Sequence, residues 1–144
     1  MINIDLGTLI DRPMKDVFAF VSDPNNMSKW NSAVVSLQQI SPGEVGVGTK
    51  FKSVGEMMGR RIEGEMQVTT YEPDTKCGFQ LNAGPVKVNL TLSLKPVGTG
   101  TKISLNAQGN PGGIFKLAEP VMAGRVKSLV EENLARLKLQ LEKG

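Results

Sequence analysis

The chain has 144 residues, of which 40% are hydrophobic and 22% are charged, and its formal net charge is +3. This balance is typical of a soluble globular protein with one sizeable core, and the dispersed lysines and arginines do not form the concentrated basic face that nucleic-acid binding requires. Because the sequence has no histidine and a single cysteine, it excludes the usual zinc sites, catalytic systems built on a Ser-His or Cys-His pair, and an intrachain disulfide. No tight cluster of Asp and Glu suggests a carboxylate metal site, so we expect no metal and no cofactor.

The sequence also carries no signal for a membrane or for secretion. No apolar run reaches the roughly 18 residues that a transmembrane helix needs, so no integral membrane association is expected. The N-terminal segment MINIDLGTLIDRP lacks a basic region followed by an apolar block, and the expected location is therefore the cytoplasm.

The first thirty residues predict a strand followed by two short helices. Apolar and polar side chains alternate over residues 1–10, as in a strand with one covered face. Asp23 and Pro24 end the first helix and can begin a second one, on which Met27 and Trp30 share a face. The stripe of the first helix is formed by Met14, Val17, Phe18 and Val21.

Residues 33–108 have the alternation and the turns that are typical of an antiparallel sheet with one wet face and one covered face. Ala33, Val35 and Leu37 share one face of the first strand in this stretch. The clearest strand runs through residues 86–95, where apolar and polar side chains alternate throughout. Turns that separate the strands are predicted at residues 43–48, 58–59, 72–74, 84–85 and 98–100.

The register of residues 60–71 stays open between two alternatives. In the first, Ile62, Met66 and Val68 face inward and Tyr71 faces outward. In the second, a β-bulge reverses part of this pattern. In both, the charged side chains at the start of the strand are interpreted as a solvated face.

The C-terminal segment predicts one long helix. From Phe115 to Leu141 apolar residues recur at helical spacing as a continuous stripe, which would cover the inner face of the sheet. Pro120 either kinks this helix or divides a short lead-in from its main body. No internal repeat or linker interrupts the chain, so one domain spanning residues 1–144 is expected.

The order of these elements resembles the START-like helix-grip fold of the SRPBCC superfamily, whose members include polyketide cyclase/dehydrase-like and lipid-transport proteins. The resemblance covers essentially the whole chain and depends on the order and spacing of its motifs. It implies an α+β fold in which a curved, antiparallel seven-stranded sheet wraps around the long C-terminal helix, with two short helices after the first strand. The segments that carry it are RPMKDVFAFVSDPNNMSKWNSAV, VGVGTKF, VTTYEPDTK and LVEENLARLKLQLE.

The resemblance further implies a cavity between the sheet and the long helix that holds a hydrophobic small molecule, such as a lipid, a polyketide-like or an aromatic compound. Periodicity alone leaves open whether the inward side chains line a pocket or fill a solid core. Trp30 likewise either anchors the second short helix to the core or helps to close one end of the cavity. The residues predicted to line the pocket are Trp30, Phe51, Met66, Val68, Phe79, Leu81, Val88, Leu90, Ile103, Phe115, Met122 and Val126.

The predicted function is the binding or carriage of that molecule, with no catalytic residue assigned. The alternative is a polyketide cyclase/dehydratase-like enzyme that uses no metal, which would need at least two ionisable side chains converging in the cavity. A third alternative is partner binding, which would need a contiguous exposed apolar patch in residues 41–48 or along the C-terminal helix. The sequence leaves the oligomeric state open between a monomer and a homodimer. The ionisable groups considered for catalysis are Tyr71, Glu56, Glu65 and Arg60.

Overall fold

The computed structural model describes residues 2–57, 59–84, 86–110 and 119–143. A strand, two short helical segments, six further strands and a long helix follow one another along the chain. Their bounds are β1 Ile2–Ile10, α1 Met14–Val21, a 3-10 helix Pro24–Asn26, α2 Met27–Trp30, β2 Val34–Gln39, β3 Lys50–Met57, β4 Arg60–Glu72, β5 Lys76–Ala83, β6 Val86–Val97, β7 Gly100–Asn110 and α3 Glu119–Lys143.

The strands form one antiparallel sheet of seven in the order β1-β7-β6-β5-β4-β3-β2. Strands β2 to β7 pair with their neighbours in sequence, as short turns between antiparallel strands allow. The first strand instead pairs with the last one, so that Ile2 lies opposite Gly109 and Ile10 lies opposite Thr101. The segment with the short helices therefore carries the chain from one edge of the sheet to the other. This confirms the predicted α+β helix-grip fold.

The break between the two short helices has a local cause. The side chain of Asp23 accepts a hydrogen bond of 2.9 Å from the backbone N–H of Asn25 and caps the 3-10 helix. Pro24 occupies the first turn of that helix, where a missing N–H costs nothing. Asp23 and Pro24 therefore start the second helical segment, as the sequence predicts.

A β-bulge at Val35 corrects the face assignment in β2. Val34 pairs with Gly55 and Ser36 pairs with Val54, which leaves Val35 as the extra residue. Val34 and Leu37 pack against the core, whereas Val35 is 55% exposed. The prediction that Val35 shares the inner face with Leu37 is wrong, because the bulge inserts one residue and reverses the alternation.

A second bulge decides the register of β4. Val68 pairs with Phe79 and Thr70 pairs with Gly78, so the irregularity lies between Val68 and Thr70. Before the bulge Met66 and Val68 are buried on the inner face. After it the alternation is reversed, and the Tyr71 ring meets Phe18 edge-on with 5.4 Å between ring centroids. The second of the two registers is therefore the observed one.

The core lies between the inner face of the sheet and the helices. Trp30 of α2 and Val17 of α1 are 0% exposed, as is Phe51 of β3. The helix α3 contributes a buried stripe of Val130, Leu134, Leu137 and Leu141, whose spacing follows the helical period. The lead-in predicted before Pro120 lies outside the described residues.

Polar contacts fix the C-terminal end of α3 to the end of β1. Glu142 accepts hydrogen bonds from the backbone N–H of Asp11 at 2.9 Å and from Lys138 at 2.8 Å. Lys138 also donates to the backbone carbonyl of Leu9. The hydrogen bond from Lys138, followed by that from Asp11, lowers the pKa of the Glu142 carboxyl below its ordinary value. These contacts hold α3 across the sheet edge and so help to set the distance between helix and sheet.

Candidate functional site

A cavity of about 150 Å³ lies between the inner face of the sheet and α3. Side chains of α2, the central strands and α3 form its walls, and most of them are apolar. The described residues that line it are Met27, Trp30, Asn31, Ala33, Val34, Ser53, Gly55, Glu56, Ile62, Met66, Phe79, Leu81, Val88, Leu90, Leu105, Ala107, Val126, Leu129, Val130 and Asn133.

Cross-strand pairing explains why the sheet presents a continuous apolar wall. Phe79 lies opposite Leu90, and Leu90 lies opposite Ala107 on the next strand. Leu81 lies opposite both Met66 and Val88. Directly paired residues of antiparallel strands point to the same face, so the alternation in β4, β5, β6 and β7 adds up to one surface.

The helix side of the cavity follows from the helical period. Val126, Leu129, Val130 and Asn133 line the cavity at spacings of three, one and three residues. Residues at these spacings share one face of an α-helix. The face is apolar except at Asn133, which is only 4% exposed.

A part-buried hydrogen-bond network surrounds Asn133. Its side-chain oxygen accepts from the backbone N–H of Ser32 at 3.1 Å and from the Ser32 hydroxyl at 3.2 Å. Its side-chain nitrogen donates to the Asn31 side-chain oxygen at 3.1 Å. Arg136 donates to the Asn133 oxygen and to the backbone carbonyl of Trp30, both at 3.4 Å. These hydrogen bonds tie residues 31–32, which follow α2, to α3. Because Asn31 and Asn133 both line the cavity, the network holds that part of the wall together.

One further polar group of the wall is buried without a hydrogen-bond partner among the described residues. The indole N–H of Trp30 is buried, and no described residue accepts its hydrogen bond. Ser53, a residue that is 5% exposed, also belongs to this wall. A buried donor without a partner is uncommon in folded proteins.

Glu56 is the one ionisable side chain among the described lining residues, and its residue is exposed. It lies opposite Arg61 in the register of β3 and β4. Tyr71, Glu65 and Arg60 are not among the lining residues. Within the described residues, no three Cys, Asp or Glu side chains come together as metal ligands would. Apart from Glu56, the polar part of the described wall consists of neutral amide, hydroxyl and indole groups.

The sole cysteine lies away from the cavity. Cys77 is 1% exposed, and its Sγ lies 4.0 Å from the backbone carbonyl oxygen of Val21. Burial raises the pKa of its thiol from 9.0 to about 12. The thiolate, which is the nucleophilic form, is therefore disfavoured in the folded protein.

The structure divides the residues predicted to line the pocket into three groups. Phe51, Val68 and Ile103 are each 0% exposed in the core but do not reach the cavity. Phe115 lies outside the described residues, and so does the side chain of Met122. Those that the structure brings together around the cavity are Trp30, Met66, Phe79, Leu81, Val88, Leu90 and Val126.

Several lining residues are not in that predicted set. Ala107 and Leu129 continue the strand and helix stripes, so periodicity could have found them. Asn31, Ser53 and Asn133 are polar, so hydropathy did not select them, although Ser53 follows Phe51 by two residues on β3 and Asn133 follows Val130 by three residues on α3. Asn31 becomes a lining residue through its position directly after α2 and its hydrogen bond with Asn133.

The partner-binding alternative pointed to two places on the surface. In residues 41–48 the exposed large apolar side chain is Val47, at 68%, and in residues 123–143 it is Leu139, at 69%. Scattered exposed apolar side chains of this kind are normal on globular proteins. Within the described residues no helix combines the length and apolar character needed to cross a membrane.

A protein-family model described as polyketide cyclase/dehydrase and lipid transport matches residues 1–142. The chain belongs to this family, which is of the SRPBCC type. The match confirms the resemblance seen in the order and spacing of the sequence motifs. An uncharacterized protein from Mycobacterium tuberculosis is 22% identical over 135 residues, which cover 93% of this chain and 94% of that protein.

Solved structures show the same fold. A conserved protein from Geobacillus kaustophilus gives a TM-score of 0.80 at 17% identity, over 98% of this chain and 95% of that chain. A protein from Deinococcus radiodurans gives a TM-score of 0.75 at 14% identity, over 100% and 99% of the two chains. The structure of Ara h 8.0201 gives a TM-score of 0.73 at 16% identity, over 99% and 98%. At these identities the likeness shows the fold of the family, whose members can hold different functions.

Proposed function

We propose that the protein binds a hydrophobic small molecule in the cavity between the sheet and α3 and holds or carries it. The observation that carries this proposal is the cavity of about 150 Å³ with a wall that is largely apolar. Removing apolar surface of a guest from water is favourable by about 25 cal/mol per Å². A cavity of this size in an apolar core stays dry and accepts a guest the size of benzene. A single aromatic ring or a short acyl segment is therefore the part of the molecule that we expect inside.

The family and the wall chemistry support a lipid, a polyketide-like or an aromatic compound as the class of guest. The family description names both cyclisation or dehydration of polyketides and lipid transport. A binding pocket of this kind needs a few polar groups that orient the guest. Asn31 and Ser53 are polar groups of the wall that are available for this purpose.

A cyclase- or dehydratase-like reaction is the alternative use of the same cavity. Such a reaction needs a proton donor and a proton acceptor beside the substrate. Glu56 supplies one ionisable group, and the remaining polar side chains of the described wall are neutral. Since a pair of converging ionisable groups is what the enzyme would need, we propose binding rather than catalysis.

Native mass spectrometry of gently purified protein, followed by solvent extraction and identification of what is released, tests the proposal. We expect a mass above that of the bare chain, and loss of the extra mass on extraction. Displacement of the dye 1-anilinonaphthalene-8-sulfonate by the extracted compound gives its affinity. A bare mass in every preparation, together with no binding of the dye, would contradict the proposal. Conversion of the extracted compound by fresh protein, abolished in Glu56→Gln, would favour the enzyme instead.

A further inference from the structure

The two edges of the sheet differ in what the rest of the chain places beside them. Along β1, the helix α3 packs against the strand, and its Lys138 donates a hydrogen bond to the backbone carbonyl of Leu9. Along β2, at the opposite edge, no further strand of the described residues pairs with the chain, and Val35, Gln38 and Ile40 are exposed. An open edge strand offers its unpaired N–H and C=O groups to another strand.

The register of β2 shows which backbone groups face this open edge. The backbone N–H of Ile40 donates to the carbonyl of Lys50 at 2.9 Å, so Ile40 forms a hydrogen-bonded pair with β3. Hydrogen-bonded and non-hydrogen-bonded pairs alternate along antiparallel strands. Leu37 and Gln39, which alternate with Gln38 and Ile40, therefore direct their N–H and C=O groups away from β3. Among the described residues, no turn or loop hydrogen bond engages these groups.

The sequence around these groups lacks the charges that commonly prevent an edge strand from pairing. No lysine, arginine, aspartate or glutamate occurs from residue 31 to residue 43, although 22% of the chain is charged. Charged side chains and bulges are devices by which edge strands avoid association. The bulge at Val35 removes only the start of β2 from regular pairing, and residues 36–39 keep an unbroken register with β3.

We propose that two copies of this chain associate through β2, whose two strands pair antiparallel about a two-fold axis at Gln38. In this register Leu37 of one copy lies opposite Gln39 of the other, so the outward N–H and C=O groups of both residues all find partners. The two Gln38 side chains meet across the axis, and an amide can both donate to and accept from a second amide. The segment thus matches itself in backbone groups, in side-chain hydrogen bonding and in charge, which favours a second copy as its partner. This association is independent of the cavity and of its guest.

Charge changes at Gln38 test this arrangement, because the two-fold axis places each new charge directly opposite its own copy. Sedimentation velocity of the wild-type chain should give a mass that rises with concentration toward twice the mass of the chain. Gln38→Lys should weaken the dimer by about 3- to 10-fold, since it adds a like-charged pair beside Lys52, which lies opposite Gln38 on β3. An equimolar mixture of the Gln38→Lys and Gln38→Glu variants should recover the dimer, because lysine then faces glutamate.

The matched controls are Gln140→Lys and Gln140→Glu, which make the same changes at an exposed position of α3. They should leave the dissociation constant of the dimer within about twofold of the wild type. A wild-type chain that stays monomeric at the concentrations used for NMR would overturn the proposal. A dimer that Gln38→Lys leaves as tight as the wild type would overturn it too, because the strands would then meet elsewhere.

Hydrogen exchange followed by NMR needs no variant and reports on individual amides. The amides of Gln38 and Ile40 should be protected at every concentration, because they are bonded to β3. The amides of Leu37 and Gln39 should exchange about tenfold more slowly, or slower still, once the dimer dominates, since they open only when it dissociates. A dimer in which Leu37 and Gln39 exchange as fast as in the monomer would contradict pairing through β2.

Discussion

The side-chain amide of Asn133 on α3 donates a hydrogen bond of 3.1 Å to the side-chain oxygen of Asn31, which directly follows α2. The two residues are 102 positions apart in sequence, and both line the cavity. Their contact, together with the bonds from Ser32 to Asn133, holds the end of α2 against the long helix. This polar contact sets the shape of one wall of a cavity that is otherwise apolar.

Replacing Asn133 should therefore destabilise the fold. Asn133→Leu keeps a similar volume but removes the hydrogen bonds that Asn133 forms with Ser32 and Asn31, and a part-buried hydrogen bond of this kind contributes about 0.5–1.5 kcal/mol. Urea unfolding followed by tryptophan fluorescence measures the free energy of unfolding. Gln140→Leu, at an exposed position of the same helix, should change that free energy by less than about 0.5 kcal/mol. Equal stability of the wild type and Asn133→Leu would show that the network contributes nothing.

A larger side chain that fills the cavity should block guest binding, whereas the same side chain on the outer face of the sheet should not. Val88 lines the cavity, whereas its neighbour Lys87 is exposed on the opposite face of β6. A phenylalanine ring at position 88 occupies space that a guest needs, so Val88→Phe should weaken binding of the dye 1-anilinonaphthalene-8-sulfonate by about tenfold or more, which is about 1.4 kcal/mol. Lys87→Phe adds the same ring and should leave the affinity within about twofold, a change of less than 0.5 kcal/mol. Calorimetry gives both affinities, and circular dichroism verifies the fold. A folded Val88→Phe with wild-type affinity would place the guest elsewhere.

Gly64 is required by the close approach of β4 and β5. A Cβ atom at Gly64 would lie 2.4 Å from the backbone oxygen of Asn82 and 2.9 Å from the Cα of Ala83. Because backbone atoms must move to relieve these contacts, Gly64→Ala should lower the free energy of unfolding by about 1–3 kcal/mol. At Gly46 an added Cβ meets nothing within 4 Å, so Gly46→Ala should be close to neutral. Thermal and urea unfolding compare the stabilities of the two variants. An unchanged free energy of unfolding for Gly64→Ala would show that β4 and β5 move apart at little cost.

The buried thiol of Cys77 should make stability depend on alkaline pH. Its pKa is raised from 9.0 to about 12 in the folded protein by burial. The unfolded chain therefore loses this proton first, and the stabilising contribution is full below pH 9 and is lost as the pH rises toward 12. At pH 10 the expected loss of stability from this group is on the order of 1 kcal/mol.

Comparison with Cys77→Ala separates the pH dependence of stability that is due to the thiol from that due to the lysines and the tyrosine. Between pH 8 and pH 10, the free energy of unfolding measured in urea should fall more for the wild type than for Cys77→Ala, by on the order of 1 kcal/mol. The same decrease in both proteins would show that the thiol ionises as readily in the folded state as in the unfolded chain. Slow reaction of the native thiol with Ellman's reagent, and rapid reaction in denaturant, would agree with its burial.

The sequence alone determined the order of elements and, over most of the sheet, the face on which each side chain lies. Residues 86–95 alternate throughout, because one face of the sheet packs against the helix and the other meets water. The apolar stripe of the last helix has the same cause, with a period of 3.6 residues instead of 2. These regularities are local consequences of backbone geometry, and they gave the order of elements whose resemblance to the SRPBCC superfamily predicted the helix-grip fold.

Only the tertiary structure decided where the pattern reverses and where the core is hollow. The bulges beside Val35 and Val68 arise from pairing with neighbouring strands, which a single strand does not record. Periodicity placed Val68 and Leu81 alike on the inner face, yet Leu81 borders the cavity while Val68 is packed in the core. The difference depends on the distance to the opposite wall. That distance depends on where α3 lies and on its polar contacts with the end of α2. These contacts join segments that are far apart in sequence, so no local sequence pattern predicts the distance.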